Sequence, residues 1–215
     1  MHPDWLSNAY VIGDKEGGTG VFVDSGAPLR PLFDAVSAHG LSVTHLLTTH
    51  ADADHIAGDD AIRGRYDCKV VKGDLETGGL SIRALPTPGH KDDHLAFVVN
   101  DELCCSGDVL FKDAVGGGDF EQIRWAVMEI YMPMPHDRRV LPGHTDETTI
   151  GREWEENPFV RVWRGVEPEG TERVNVVGRE ATLIVWSPDY DGKGKAWVRY
   201  DDGTDAIVGG SRVER

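Results

Sequence analysis

Four strand-like runs in this 215-residue chain end in short turns that carry histidine or aspartate. They are "THADADH" (His50, Asp52, Asp54, His55), "PTPGHKDDH" (His90, His94), "CCSGD" (Asp108) and "VLPGH" (His144). In the last three a glycine directly precedes His90, Asp108 or His144. A layered fold brings strand ends to one rim, so residues distant in sequence meet there. A lone histidine at such a place is usually structural, but a rim that receives imidazole or carboxylate four times has the donor set of a metal centre. The chain is therefore constrained to a fold that gathers these strand ends.

The remaining pattern agrees with this. "AYVIG" and "TGVFVDSG", separated by the Gly-rich "DKEGG", read as a β-hairpin. "PLRPLFDAVSAHG" has helical apolar spacing and Gly40 at the stop position. "VTHLLTTH" is a strand running into the first cluster, and "ADHIAGDDAIRGRY" reads as one helix after it. "CKVVKG" and "LSIRALP" are strands, and "LAFVVND" with "ELCCSGD" forms a second hairpin. "DFEQIRWAVMEIYMPMP" is amphipathic, with Phe120, Ile123, Val127, Ile130 and Tyr131 on one face. "RRVLPGH" is a strand, and "TIGREWEENPFV" a helix. The strand groups are too long for simple βα alternation, so two mixed sheets with helices outside are expected, an α/β (α+β) class.

Composition shifts near Val166, where "GVEPEGTER" reads as a loop. Four short strand-like runs follow, with turns at "DYDGKG" and "DDGT". We expect a domain over 1–166 and a small all-β (SH3- or Tudor-like) unit over 167–215. Trp186, Trp197 and Tyr200 are either a binding face or the filling of a small core, and the core reading is favoured.

The formal charge is −15, which disfavours nucleic acid and anionic membranes as partners. No apolar run is long enough to span a membrane, and the first residues lack the pattern of a secretory signal. Cys68, Cys104 and Cys105 make no disulfide framework, because adjacent strand residues point to opposite faces. They read as reduced thiols of a cytoplasmic protein.

Over about residues 7–160 the ordered turns resemble the metallo-β-lactamase superfamily, whose signature is His-x-His-x-Asp-His, then Gly-His, Gly-Asp and Gly-His turns. The resemblance implies a four-layer αββα sandwich, here with a small C-terminal β appendage. It implies His50 and His90 as ligands of one metal, Asp54, His55 and His144 as ligands of a second, and Asp108 as the bridge. It also makes Asp24, in "VFVDSGAP", a structural landmark. Within the superfamily, "LFKDAVGGGDF" and "MPMPHDRRVLPGHTDETTIGREWEENPF" look like segments of glyoxalase II-like (hydroxyacylglutathione hydrolase-like) proteins. His94 matches a histidine common there. The helical glutathione-binding tail of those proteins has no counterpart in this sequence.

Asp52 departs from the pattern, standing where the family has its second histidine. We expect it to ligate the first metal through oxygen. Two divalent ions facing Asp54, Asp108 and one hydroxide keep about one positive charge by simple counting, and Asp52 cancels it. Such a site is a weaker Lewis acid, and its harder ligand tilts a choice among Zn, Fe and Mn toward Fe or Mn.

By this resemblance the chain is a dinuclear metallohydrolase of a thioester or related ester, a lactone included, in which metal-held hydroxide attacks the carbonyl. Asp54 and Asp108 are its catalytic carboxylates. The alternative is an Fe(II) persulfide dioxygenase using His50, His90 and Asp108. A third reading makes the C-terminal strands the working part and the metal domain degenerate, and the six or more retained donors argue against it. The expected partner is a small-molecule substrate, and a homodimer stays open. His39, His45, His2 and His136 read as structural or exposed, Asp59 and Asp60 as the solvated side of a helix, and Lys112 and Asp113 as exposed loop charges.

Overall fold

The computed structural model describes residues 2 and 4–215. β1 (Tyr10–Gly13) and β2 (Thr19–Val23) pair as the expected antiparallel hairpin. α1 (Leu29–Ala38) leads to β3 (Ser42–Leu47), which joins β2 in parallel. α2 (Ala53–Ile56) and α3 (Asp59–Tyr66) then lead to β4 (Lys69–Val71), giving a sheet ordered β1-β2-β3-β4.

The second sheet contains β5 (Leu75–Thr77), β6 (Leu80–Pro86), β7 (Leu95–Val99), β8 (Leu103–Gly107), β9 (Arg139–Pro142) and β10 (Thr148–Thr149). Its order is β10-β9-β8-β7-β6-β5. β6 and β8 each run antiparallel to β7, and β9 runs parallel to β8. The C-terminal ends of β6, β8 and β9 therefore lie on one edge, and these are the ends that carry His90, Asp108 and His144.

The layers follow from strand alternation. Val21, Val23 and Leu47 of the first sheet face Ile82, Phe97, Val99 and Cys105 of the second, forming the inner core. On the outer side of the first sheet, Phe22 and Leu46 pack against Val36 of α1 and Ile62 of α3. Beyond the second sheet, Val98 and Cys104 pack against α4 (Phe120–Trp125), α5 (Ile150–Glu156) and α6 (Pro158–Trp163). This is the αββα order. Cys104 and Cys105 lie in different cores and all three thiols are free.

Two helices expected to be continuous are broken. α2 stops before Gly58, whose N–H turns aside to Ser25 Oγ at 3.0 Å, and α3 begins anew at Asp59. α5 ends before Asn157-Pro158, because proline has no N–H to continue the ladder. Asn157 Oδ1 instead accepts from Phe159 N–H at 3.0 Å and starts α6. The amphipathic segment is helical, but α4 widens into a π-helical turn over Ala126–Tyr131. Phe120, Ile123, Val127 and Tyr131 are buried there, and Ile130 only in part.

The C-terminal segment forms a five-stranded antiparallel sheet, one strand more than expected. Its strands are β11 (Glu172–Val176), β12 (Arg179–Ser187), β13 (Lys195–Tyr200), β14 (Asp205–Gly209) and β15 (Val213–Glu214), ordered β14-β13-β12-β11-β15. One face holds its own small core of Val174, Ala181, Leu183, Ala196 and Val198. From the other, Val185, Trp197 and Ile207 enter the core around α4 and α6. Trp197 packs on Phe120 at a centroid distance of 5.0 Å, and Ile207 bridges to Gly118. Trp197 thus fills a core, and Trp186 and Tyr200 pack at the edge of the smaller one. Among the described residues no helix is long and apolar enough to cross a membrane.

Candidate metal centre

The four polar turns meet at the rim where the two inner sheets open. His50 follows β3, Asp52 stands at the N-terminus of α2, and Asp54 and His55 lie within α2. His90, Asp108 and His144 come from the turns after β6, β8 and β9. All three of those turns depend on glycine, Gly89 adopting φ +131° before His90. Gly107 adopts φ +50°, and a Cβ at Gly143 would collide with Asp108 Oδ1. Gly143 thus lets backbone pass directly beside the cluster.

The expected site residues form three overlapping groups. His50, Asp52 and His90 make one, Asp54, His55 and His144 a second, and His50, His55 and Asp108 a third that links them, each with donor atoms within 4.8 Å of one another. Asp52 Oδ2 lies 3.6 Å from His50 Nε2 and 3.3 Å from His90 Nε2. Asp54 Oδ2 lies 3.7 Å from His55 Nε2 and 3.5 Å from His144 Nε2. Asp108 faces both sides, with Oδ1 3.4 Å from His55 Nε2 and Oδ2 3.3 Å from His144 Nε2 and 3.8 Å from His90 Nε2. Most of these spacings are long for hydrogen bonds. They suit donors that share a cation, since bonds of about 2.1 Å in tetrahedral array separate ligand atoms by roughly 3.4 Å.

Each imidazole is oriented by its other nitrogen. His90 Nδ1 donates to Gly117 O at 2.8 Å and His144 Nδ1 to Leu6 O at 2.9 Å, because a carbonyl only accepts. His55 Nδ1 donates to Asp24 Oδ2 at 2.8 Å. Thr49 Oγ1 gives its proton to the same carboxylate at 2.8 Å, and so accepts from His50 Nδ1 at 3.0 Å. A neutral ring that donates from Nδ1 has its lone pair on Nε2, and all four Nε2 atoms face the cluster. This is the usual outer support of metal-ligating histidine. Within the site, His50 Nε2, His55 Nε2 and Asp108 Oδ1 are buried without a hydrogen-bond partner. Orphaned buried donors and acceptors are costly, and bound divalent cations would satisfy all three. The residues present fit the group.

The electrostatics follow from burial and crowding. Burial, with His55 close by, lowers the His50 pKa to about 3, so that ring is neutral. Burial also opposes protonation of His55, but Asp108 and Asp24 outweigh it and raise its pKa to about 11. Burial disfavours the Asp108 carboxylate, yet contacts from His144 and His55 hold its pKa well below the usual range. Such a centre holds protons where it would hold metal, and metal uptake exchanges one for the other.

Supporting residues surround this set. Asp24, the expected landmark, also accepts from Thr49 N–H at 2.8 Å and so ties His50 and His55 to one carboxylate. It adopts φ +56°, uncommon for a non-glycine residue. His94 is buried outside the three groups; its Nε2 accepts from Asp108 N–H at 3.0 Å and its Nδ1 meets Thr87 Oγ1 at 2.8 Å. It orients the Asp108 turn. Asp59 departs from expectation. It is half-buried and accepts from Ser25 Oγ at 2.5 Å, whereas Asp60 is exposed. Lys112 pairs with Asp146 at 3.3 Å, and Asp113 with Arg152 at 2.8 Å, so neither is a free loop charge.

Two neighbours of the site were not expected. Lys91 Nζ lies 2.9 Å from Asp52 Oδ1, so one Asp52 oxygen faces the imidazoles and the other a cation. A carboxylate in a histidine position beside His90-Lys91 was the available signal. Tyr190, from the loop between β12 and β13, stacks on His144 at 4.0 Å and 12°. No local pattern announces that contact.

This fold and this inward-facing donor set define a metal-dependent hydrolase class. The family model described as the metallo-beta-lactamase superfamily matches residues 2–78. Hydroxyacylglutathione hydrolase of Rhodopseudomonas palustris (strain BisA53) is 31% identical over 182 residues, covering 74% of this chain and 67% of that protein. ETHE1 from Myxococcus xanthus superposes with a TM-score of 0.63 at 26% identity, over 72% of this chain and 80% of that one. TTHA1623 in a di-iron-bound form superposes with a TM-score of 0.62 at 26% identity, over 74% and 97%. The chain belongs to the metallo-β-lactamase superfamily, as an enzyme with glyoxalase II-like hydrolase relatives, and divalent metals are that superfamily's cofactors. It spans about two thirds of the length of the hydroxyacylglutathione hydrolase it matches.

Proposed function

We propose that the protein is a dinuclear metal-dependent hydrolase of a thioester or related ester. The observation that carries this is the orientation of all four Nε2 atoms toward three carboxylates, with Asp108 facing both groups. In this reading His50, Asp52 and His90 hold one divalent ion, Asp54, His55 and His144 the other, and Asp108 both. When bound, the metals make a water nucleophilic near neutral pH and polarise the scissile carbonyl.

The chain's own residues do the rest. Asp108 keeps the half-sites at a fixed separation, with His94 holding its backbone. Asp54 is on the open side, with a side chain 28% exposed. Its Oδ2 turns to the imidazoles, and its other oxygen accepts a proton of the attacking water and aims it. A thiol with a pKa of about 8.5 leaves as thiolate without a strong general acid, and the cluster supplies no buried protonated carboxyl near its mouth. Asp52 adds negative charge to the first half-site and Lys91 offsets part of it. The hard carboxylate favours iron or manganese over zinc there.

The alternative reading, an Fe(II) persulfide dioxygenase using His50, His90 and Asp108, leaves Asp54, His55 and His144 without a task, although they are as well oriented as the first group. The test is metal content per chain by elemental mass spectrometry on untagged protein, followed by thioester and lactone turnover. Near two metals and thioester cleavage are expected. Near one iron per chain, with oxygen-dependent persulfide consumption, overturns the proposal.

A further inference from the structure

One loop of the C-terminal sheet reaches the second half of the candidate metal centre. Between β12 and β13 the chain turns back over the rim, and Tyr190 lies flat on His144. Phe111 stands edge-on to both rings, at 6.0 Å from Tyr190 and 5.8 Å from His144. The loop is anchored at both ends. Ser187 Oγ donates to Asp113 O at one. At the other, Lys195 pairs with Asp189 at 2.9 Å, with side chains only 10% and 3% exposed. An ion pair this buried is costly to break on one side, and it sets the position of the neighbouring Tyr190. The sheet itself is seated on α4 and α6 by Trp197, so the loop hangs from a rigid support. Outside it lies an open cleft of about 300 Å³, lined by Lys112, Thr145, Pro188 and Tyr190 among others.

We propose that this loop is the outer wall of the second half-site, and that Tyr190 is a positioning residue acting through His144. The ring fixes the plane of the imidazole by covering one of its faces, while Leu6 O holds Nδ1 within that plane, and it shields that half-site from solvent. The C-terminal sheet is therefore part of the active site. This rests on the reading that His144 holds metal.

The test measures metal release from the fully loaded protein to excess EDTA, with a parallel metal analysis of each variant. In Tyr190→Ala one of the two metals should leave at least tenfold faster than in the wild type, and the other at an unchanged rate. Tyr190→Phe keeps the stacked ring and should stay within twofold. With a thioester substrate, Tyr190→Ala should raise KM more than it lowers kcat. Val177→Ser, at an exposed turn of the same sheet, controls for general loosening and should release metal like the wild type. A wild type that holds no metal overturns the functional reading and this inference with it. A wild type that holds two and loses both at the same rates in Tyr190→Ala overturns the inference alone, as does rapid loss from Tyr190→Phe.

Discussion

The two halves of the metal centre are built from similar donors but supported differently. The second half has a completely buried His55 and a His144 only 2% exposed. It is held by Asp24, by the carbonyl of Leu6 near the start of the chain, and by the Tyr190 loop near its end. The first half is the more open, with His50 fully buried but Asp52 34% and His90 21% exposed, whereas only Asp54 of the second half is exposed, to 28%. Its outer contacts are the Thr49 hydroxyl, the Gly117 carbonyl and a solvent-facing lysine. In the proposed assignment, the more enclosed half keeps the residue types of the family pattern, and the more open half carries Asp52 in place of histidine. An open position tolerates a change of charge because solvent and Lys91 screen it. The same change beside His55 would bury another carboxylate next to Asp24 and Asp108.

This contrast can be broken or sharpened experimentally, and the largest effect should come from the residue common to both halves. Asp108→Asn should empty both sites and, since metal assistance is worth several kcal/mol, lower turnover by roughly 10³-fold or more. Metal analysis with steady-state kinetics checks this, and retention of one full equivalent would show that the halves are independent. Asp24→Asn removes the carboxylate behind His55, and should weaken metal affinity by about 10- to 100-fold. The loss should be greater in the second half, because Asp24 reaches His50 only through Thr49. Competition titration with a chromophoric chelator reads the two affinities separately.

Asp52→His should act on the first half alone. It restores about one positive charge by the count above, so the pH at which activity rises should fall and the preference among Zn, Fe and Mn should move toward Zn. A pH–rate profile and competitive metal loading measure both, and no change in either removes Asp52 from the site. Lys91→Met should have the smallest effect. The pair is exposed and such pairs are worth about 1 kcal/mol at most, so first-site affinity should change less than about fivefold and second-site affinity not at all. A larger change would mean that Lys91 fixes the Asp52 carboxylate rather than merely balancing it.

Much of this centre is legible in the chain alone. Metal ligands on strand-end turns leave a local signature, because each needs a strand to place it and a small residue to let backbone pass. His50, Asp52, Asp54, His55, His90, Asp108 and His144 stand out as candidates through such turns together with the family resemblance, and the structure places their donor atoms in three overlapping groups. The hairpins and the two mixed sheets with helices outside follow from alternation and turn residues, and the αββα order from the family resemblance. The helix breaks at Gly58 and Asn157 were less visible, since hydrophobic period alone does not register a cap or a missing N–H.

The sequence by itself therefore determined the superfamily and the candidate donors, because the resemblance that carries both rests on short motifs. Only the tertiary structure decided how the donors are supported and enclosed. Asp24 reaching His55, His94 holding the Asp108 turn, Lys91 taking the spare oxygen of Asp52 and Tyr190 closing over His144 are contacts between separate turns. No local pattern encodes them, since a stacked ring or an ion pair depends on which surfaces the packed layers bring face to face.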